Sequence, residues 1–497
     1  MDTLNPPFLV ARTSSRRALN RSFQIAVKLV SLLALLAASA TGHRHAAAAT
    51  GELDLSAGRR NGQVQQVTTV VEVRGKLTVN PDGQDVRRLP MEAKAELRYA
   101  EKFLPPATGA SVTTIRHYSQ AEADIRIQET PLKQSLRPDR RLMVAKLRNV
   151  TSLHSPSGPL TREELDLVET PGASASLDLL LPGKSVAVGG KWNLPDAAVG
   201  PLLGLEAIGQ QDVIASLTKV EDGLAIIDLR GKVSGAVGGV STEIDLQGKA
   251  NYHLQRKTIS WLALQYEEKR AIGHAQPGYD ATVRVRVRTE PASLPPELAD
   301  AAIGGLATKA DAGQSLLEFN AEKAGIEFLH DRRWQVMVDR FDTVILRLVD
   351  RGDLIAQCNI TRLPPLPKGE QLSLSSFQTD VEQTLGQNRG QIVEAGQSQT
   401  AGGLRVLRVV VSGTASELPI QWVYYHVSSA KGQRASVVFT MEARLVERFG
   451  HIDQELIDSL VLSSSPLDET REPQPAAKPD AKSARRNESA DPAATPR

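Results

Sequence analysis

Three patterns predict a mainly β N-terminal domain, an antiparallel sheet with short helices, followed by an α+β C-terminal domain. From Val64 to Arg288 the chain alternates apolar and polar residues in stretch after stretch. That period of two gives a sheet one packed face and one exposed face. From Trp334 to Ile360 the alternation recurs as a compact meander, with Trp334, Val336 and Val338, then Val344, Leu346 and Leu348, then Leu354, Ala356, Cys358 and Ile360. Beyond it, apolar stripes at helical spacing appear at Phe377, Val381 and Leu385 and again from Leu445 to Leu460. Those stripes predict one helix in each place.

The chain has 497 residues, 41% hydrophobic, 23% charged and only 4% aromatic. Its cores are therefore expected to be built from Val, Leu, Ile and Ala. Arg12, Arg16, Arg17, Arg21 and Lys28 precede an apolar run, Leu29 to Ala40. Basic residues before an apolar run and a small-x-small site predict a signal peptide over 1–40, or to 49. The run is shorter than the roughly 20 residues of a membrane span, so the mature chain is expected to be exported, periplasmic or extracellular, with no transmembrane domain. Removing 1–40 leaves 54 basic and 56 acidic residues, which removes the electrostatic case for nucleic acid. The single cysteine, Cys358, excludes an internal disulfide framework and reads as a buried small hydrophobe.

Residues 51–290 form the expected β-rich domain. Strand-like text at 64–80, 91–104, 111–127 and 140–153 is separated by turn signals such as Asn80-Pro81-Asp82-Gly83. The sheet is interrupted at 155–205. There Thr161-x-x-Glu164 is a capping box, and Pro195 suits the start of a second short helix. Strands resume at 212–219, 223–232, 240–254, 257–268 and 281–288. In the last of these Val283, Val285 and Val287 oppose Arg284, Arg286 and Arg288, the pattern of a charge-protected edge strand. Residues 291–315, rich in Pro, Gly and Ala, predict a linker. The C-terminal domain spans 316–462. Arg351-Gly352-Asp353 reads as a hairpin turn, Ser375 or Ser376 as a helix cap and Gly386 as a helix end. Residues 466–497 combine proline and charge without an aromatic and predict a disordered tail.

The phrases DRRWQVMVD (331–339), LIAQCNI (354–360), SELPIQWVYYHV (416–427) and DQELIDSLVL (453–462) together resemble a PsbP-like α/β/α sandwich domain, as carried by some exported bacterial proteins. The resemblance covers 316–462 and implies a non-catalytic binding or assembly module.

No phosphate loop, nucleophile elbow or H-E-x-x-H motif occurs, and the histidines are scattered singly, so neither a cofactor nor a metal site is expected. The most aromatic strand is Leu418 to Val427, where Ile420, Trp422, Tyr424 and His426 share one face. Trp and Tyr combine apolar bulk with a polar tip that wants a partner, so Trp422, Tyr424 and His426 are candidate ligand- or partner-binding residues. Equally, a central strand covered on both sides is apolar throughout, which would make them core. The functional expectation is an exported, non-enzymatic binding or assembly protein of the envelope, partnered by another envelope protein or a small hydrophobic ligand. The alternatives are a carrier holding such a ligand or a lipid in the β-rich domain, beneath the 159–205 helices, or a hydrolase whose site is assembled from distant residues.

Overall fold

A computed structural model describes residues 51–464 except 60, 81–84, 106–111, 148–150, 307–311, 368 and 387–388. The expected signal peptide (1–40, or to 49) and the expected disordered tail (466–497) lie outside the described residues.

The first unit comprises β1 (Leu53–Asp54), β2 (Val64–Val79), β3 (Arg87–Phe103), β4 (Val112–Ile127), β5 (Thr130–Ser135), β6 (Leu142–Leu147), β7 (Thr151–His154), α1 (Arg162–Val168), β8 (Ser185–Val186), β9 (Lys191–Asn193), α2 (Asp196–Leu203), β10 (Ala207–Gln211), β11 (Ile214–Glu221), β12 (Leu224–Val237), β13 (Val240–His253), β14 (Thr258–Arg270) and β15 (Gly278–Pro291). Thirteen of these strands form one antiparallel sheet. Its path runs β7-β6-β4-β3-β2-β15-β14-β13-β12-β11-β9, with β5 beside β4 and β10 beside β12. Among the described residues the path is open, since β7 and β9 do not pair. Its middle joins the start of the unit to its end, pairing Gln65–Thr78 with Gly278–Pro291 residue for residue.

The alternation in the sequence is the alternation of faces. Val67, Val71, Val73, Val283, Val285 and Val287 are buried on one side. That side is covered by the 155–205 interruption. Leu165, Leu167 and Val168 of α1, Leu177 and Leu180 of a 3-10 turn (Ser174–Leu180), and Val199, Leu202 and Leu203 of α2 join the same core. The capping box forms as spaced: Thr161 Oγ1 accepts from Glu164 N, and the Glu164 carboxylate accepts from Thr161 N. The three arginines of β15 lie on the opposite face, but β15 is a central strand between β14 and β2, which corrects the edge-strand expectation. Periodicity fixes a strand's faces and is silent on its neighbours. The arginines reach across to those neighbours: Arg284 to Gln265, at 2.8 Å, and Arg286 to Glu72, at 3.0 Å.

The stretch expected to be a linker carries α3 (Asp300–Ile303) and α4 (Ala312–Ser315). Leu298 and Ile303 pack with Ile115 and Val144 of the sheet. Lys102 Nζ donates to Leu298 O and to Asp300 Oδ1.

The second unit contains β16 (Leu317–Ala321), β17 (Ile326–His330), β18 (Trp334–Asp339), β19 (Thr343–Asp350), β20 (Asp353–Leu363), α5 (Leu374–Leu385), β21 (Arg389–Gln399), β22 (Arg405–Ala415), β23 (Leu418–Ser428), β24 (Arg434–Glu442), α6 (Val446–Phe449), α7 (Ile452–Asp458) and β25 (Val461–Leu462). Seven strands form the antiparallel sheet β18-β19-β20-β24-β23-β22-β21, and β16-β17-β25 form a small second sheet. The expectation of an α+β C-terminal domain is overturned: large antiparallel sheets run through the whole chain, and the protein is mostly β. The apolar stripe from Leu445 to Leu460, read as one helix, breaks at Gly450, whose φ is +61°, into the four-residue α6 and the seven-residue α7. The twelve-residue α5 is capped by Ser373, whose side chain accepts from Ser376 N, rather than by Ser375 or Ser376, and ends at Gly386 as expected. Cys358 is fully buried on β20, and burial pushes its thiol well above its ordinary value.

Candidate functional site

A cavity of about 570 Å³ lies where the covered face of the large sheet meets the second unit. Leu97, Leu165, Val168, Leu205 and Val240 give it apolar wall from the sheet and its covering helices. The second unit contributes Arg332, Arg333, Gln335, Val349, Asp350 and Arg351.

The two units are held around this cavity by arginines that reach carbonyl oxygens and carboxylates. Arg137 grips Glu164 through Nε and Nη2, both at 2.8 Å, and reaches Glu318 of β16 through Nη1 at 3.1 Å. Glu164 is 4% exposed, and Arg137 holds its carboxyl below the usual carboxylate range despite that burial. Glu318 N donates to Leu160 O at 2.8 Å, beside the Leu160–Leu317 bridge. Arg332 Nε donates to Ser315 O at 2.9 Å and its Nη2 to Leu153 O at 2.7 Å. Arg162 Nη2 donates to the carbonyls of Arg332 and Trp334.

A backbone contact completes the junction. The β19–β20 hairpin turns at Arg351 (φ +53°) and Gly352 (φ +89°), and the β12–β13 hairpin turns at Gly238 and Gly239, with φ +58° and +71°. A Cβ on Gly239 would stand 1.9 Å from Gly352 N, so the two hairpin tips meet main chain to main chain. The Arg351-Gly352-Asp353 tripeptide is thus a docked turn, and Asp353 is ion-paired to Arg448 at 2.7 Å.

Inside the cavity the outstanding group is Glu169, one residue past α1. Its Oε1 lies 3.7 Å from Arg332 Nη1. Burial raises its carboxyl to about 7, with Asp166 and Glu206 pushing the same way and Arg332 and Arg162 opposing. The side chain still touches the cavity, 35% exposed, but the surrounding protein replaces most of the bulk water that would solvate its charge. Deeper in, Arg270 pairs with Glu268, both nearly buried, and Arg116 Nε donates to Glu101 at 2.9 Å. Arg270 Nε, Gln276 Oε1 and the Tyr279 hydroxyl border the cavity and meet no hydrogen-bond partner among the described residues.

The sequence-predicted residues lie elsewhere. Trp422, Tyr424 and His426 share a face of β23, and α5 lies over that face. Phe377, Val381 and Leu385 pack with Trp422, Tyr424, Leu407 and Val409, and the Phe377 and His426 rings are 5.9 Å apart. All three are buried, His426 to 2% exposure. Any partner of these side chains has to displace α5 or approach beside it. Glu169, Arg332, Arg162 and Glu206 were not singled out by the sequence. Each is one charged residue among many: the fold of the first unit brings Glu206 near Arg162 and Glu169 of the α1 segment, and docking of the second unit adds Arg332.

Among the described residues no helix is long and apolar enough to cross a membrane, and no group of three or more His, Cys, Asp or Glu is placed to hold a metal ion.

No family model matches the chain, and no curated protein matches it. Solved structures align over most of its length at low similarity. One is kievitone hydratase from Nectria haematococca, with 9% identity, 77% of this chain and 89% of that one covered, and a TM-score of 0.13. Another is a BenF-like porin from Pseudomonas fluorescens Pf-5, with 7% identity, 77% and 98% covered, and a TM-score of 0.11. A third is the translocator domain of autotransporter NalP from Neisseria meningitidis, with 8% identity, 77% and 89% covered, and a TM-score of 0.11. Overlaps this shallow carry no argument about function.

Proposed function

We propose that the chain is an exported, non-enzymatic binding protein of the cell envelope that holds one small, partly apolar ligand at the junction of its two units. The observation that carries this reading is the cavity itself. Its volume of about 570 Å³ falls within the roughly 300–1,000 Å³ of small-molecule sites. Its sheet side mixes apolar residues such as Leu97 and Val240 with the charged Arg116, Glu268 and Arg270, and further charged groups converge from both units. The arginines around it are held by carbonyl oxygens and carboxylates, an arrangement suited to fixing a ligand's orientation. The covered sheet face supports the carrier form of this reading: the α1, 3-10 and α2 segments leave a space against the sheet. Export rests on the basic-then-apolar stretch before residue 41.

Native mass spectrometry of the full chain purified from its own cells tests the binding role. The expected result is one additional small-molecule mass per chain, released on denaturation. A stoichiometric protein partner with no small molecule would favour the assembly role implied by the PsbP-like resemblance. Export is read separately, from an N-terminus between Thr41 and Gly51 in protein recovered outside the cytoplasm.

A further inference from the structure

We propose that the head of the ligand is uncharged and bears hydroxyl groups, and that Arg270, Gln276 and Tyr279 receive it. This assignment rests on the binding role of the cavity. Three polar groups of the cavity wall meet no partner among the described residues: Arg270 Nε, Gln276 Oε1 and the Tyr279 hydroxyl. All three belong to the hairpin that joins β14 to β15. Arg270 and Tyr279 stand opposite each other in its register, with the guanidinium 5.6 Å from the ring centroid. Gln276 lies in the connection, where a Cβ on Gly238 of the docked β12–β13 tip would stand 2.4 Å from its Nε2. The Arg270 side chain is 7% exposed and Tyr279 is 5% exposed. Polar groups buried this deeply are costly to leave unpaired, and three of them in one cavity wall point to a guest that pairs them.

Their chemistry selects the guest. Arg270 Nε only donates, Gln276 Oε1 only accepts, and the Tyr279 hydroxyl does either. An ionised carboxylate only accepts, so it would leave Gln276 unpaired. An ammonium group only donates, so it would leave Arg270 unpaired. A hydroxyl both accepts and donates, and adjacent hydroxyls on one head satisfy all three groups.

The charges of the wall agree with an uncharged head. The lining carries six arginines and five carboxylates, but they are paired already. Arg116 lies 2.9 Å from Glu101 and Arg333 lies 3.0 Å from Asp331, both carboxylates standing behind the wall. Arg270 pairs with Glu268, Arg332 with Glu169 at 3.7 Å and Arg162 with Asp166 at 3.9 Å. Asp350 is held by Arg448 at 3.0 Å. Arg351 and Glu206, one of each sign and both exposed, have no ion pair among the described residues. No surplus of either sign is left for a charged head to balance. Leu97, Leu165, Val168 and Leu205 would hold the apolar body of the ligand.

The test is calorimetric titration of the full-length protein with octyl glucoside, octanoylglycerol, octylammonium and octanoate, each below its micelle concentration. At least one of the two hydroxyl-bearing probes is expected to bind at one site, about tenfold or more tighter than either charged probe. The tighter of the two tells a sugar ring from a glycerol head. Tyr279→Phe should weaken that probe about fivefold, the loss of one hydrogen bond. Its melting temperature without ligand should stay level or rise, because the substitution removes a buried hydroxyl that has no partner. Tyr266→Phe is the control: that hydroxyl is also unpartnered among the described residues, but Tyr266 lies outside the cavity wall, so binding should not change. A charged probe binding as tightly, unchanged affinity in Tyr279→Phe, or equal weakening in Tyr266→Phe overturns the assignment. A lower melting temperature in ligand-free Tyr279→Phe also overturns it, because ordered water would then be the partner of these groups. If no probe binds while native mass spectrometry shows a bound molecule, the head-group assignment fails and the cavity's role survives. If no probe binds and no molecule is carried, the binding role itself fails.

Discussion

His426 shows how burial sets a residue's chemistry. It is 2% exposed, and neither ring nitrogen meets a hydrogen-bond partner among the described residues. Burial lowers it to about 4, and Arg434 and Arg405 push it the same way. His330, also buried, falls to about 4 for the same first reason. A histidine lowered in the folded state is protonated more readily when unfolded. Its stabilising contribution is therefore present above pH 6.5 and is lost as pH falls from 6.5 towards 4. Denaturation midpoints measured at pH 7 and pH 5 should show a smaller drop in His426→Leu than in the parent. Glu169 acts with the opposite sign, opposing folding increasingly from about pH 4.5 to 7. Trp422 beneath α5 gives a second test at this scale. Trp422→Ala should cost about 3–5 kcal/mol of stability, the usual result of emptying a core aromatic site. A midpoint within 1 kcal/mol of the parent, together with lost ligand or partner binding, would instead make Trp422 a binding residue.

At the scale of elements, the junction depends on two hairpins that approach without side chains. Gly239 has φ +71°, and its added Cβ would overlap Gly352 N. A methyl group there forces the tips apart, and the left-handed backbone adds strain of its own. Gly239→Ala should open the junction: limited proteolysis should cut the 291–315 stretch faster. An unchanged cleavage rate would show that the arginine contacts alone hold the units. The neighbouring α1 is fixed from two directions, by its capping box and by Arg137 gripping Glu164. The sequence displayed only the first of these, because the spacing of Thr161 and Glu164 is local. The Arg137 contact spans 27 residues and has no local signature.

At the scale of the molecule, the second unit closes its own cores on both faces of the seven-stranded sheet. Residues 316–462 expressed alone should unfold in one cooperative transition. Their midpoint should lie below that of the same unit in the full chain, because Leu317 and Glu318 lose Leu160 and Arg137. Aggregated or uncooperative material would show that the first unit is required for folding.

The sequence by itself determined which residues of each strand face a core, where α1 is capped, where Gly386 ends α5, and that Cys358 packs as a hydrophobe. Each of these is a local periodicity or a spacing of a few residues, and local geometry enforces it. Only the tertiary structure decided strand order, and with it the central place of β15, because alternation carries no information about neighbours. It also decided that the C-terminal unit is mostly β: the stripe from Leu445 to Leu460 satisfied helical spacing, yet Gly450 took a left-handed turn that shortened both helices. The candidate site was out of reach for the same reason. Glu169 and Arg332 are 163 residues apart, and their electrostatics exist only once two separately closed units have docked.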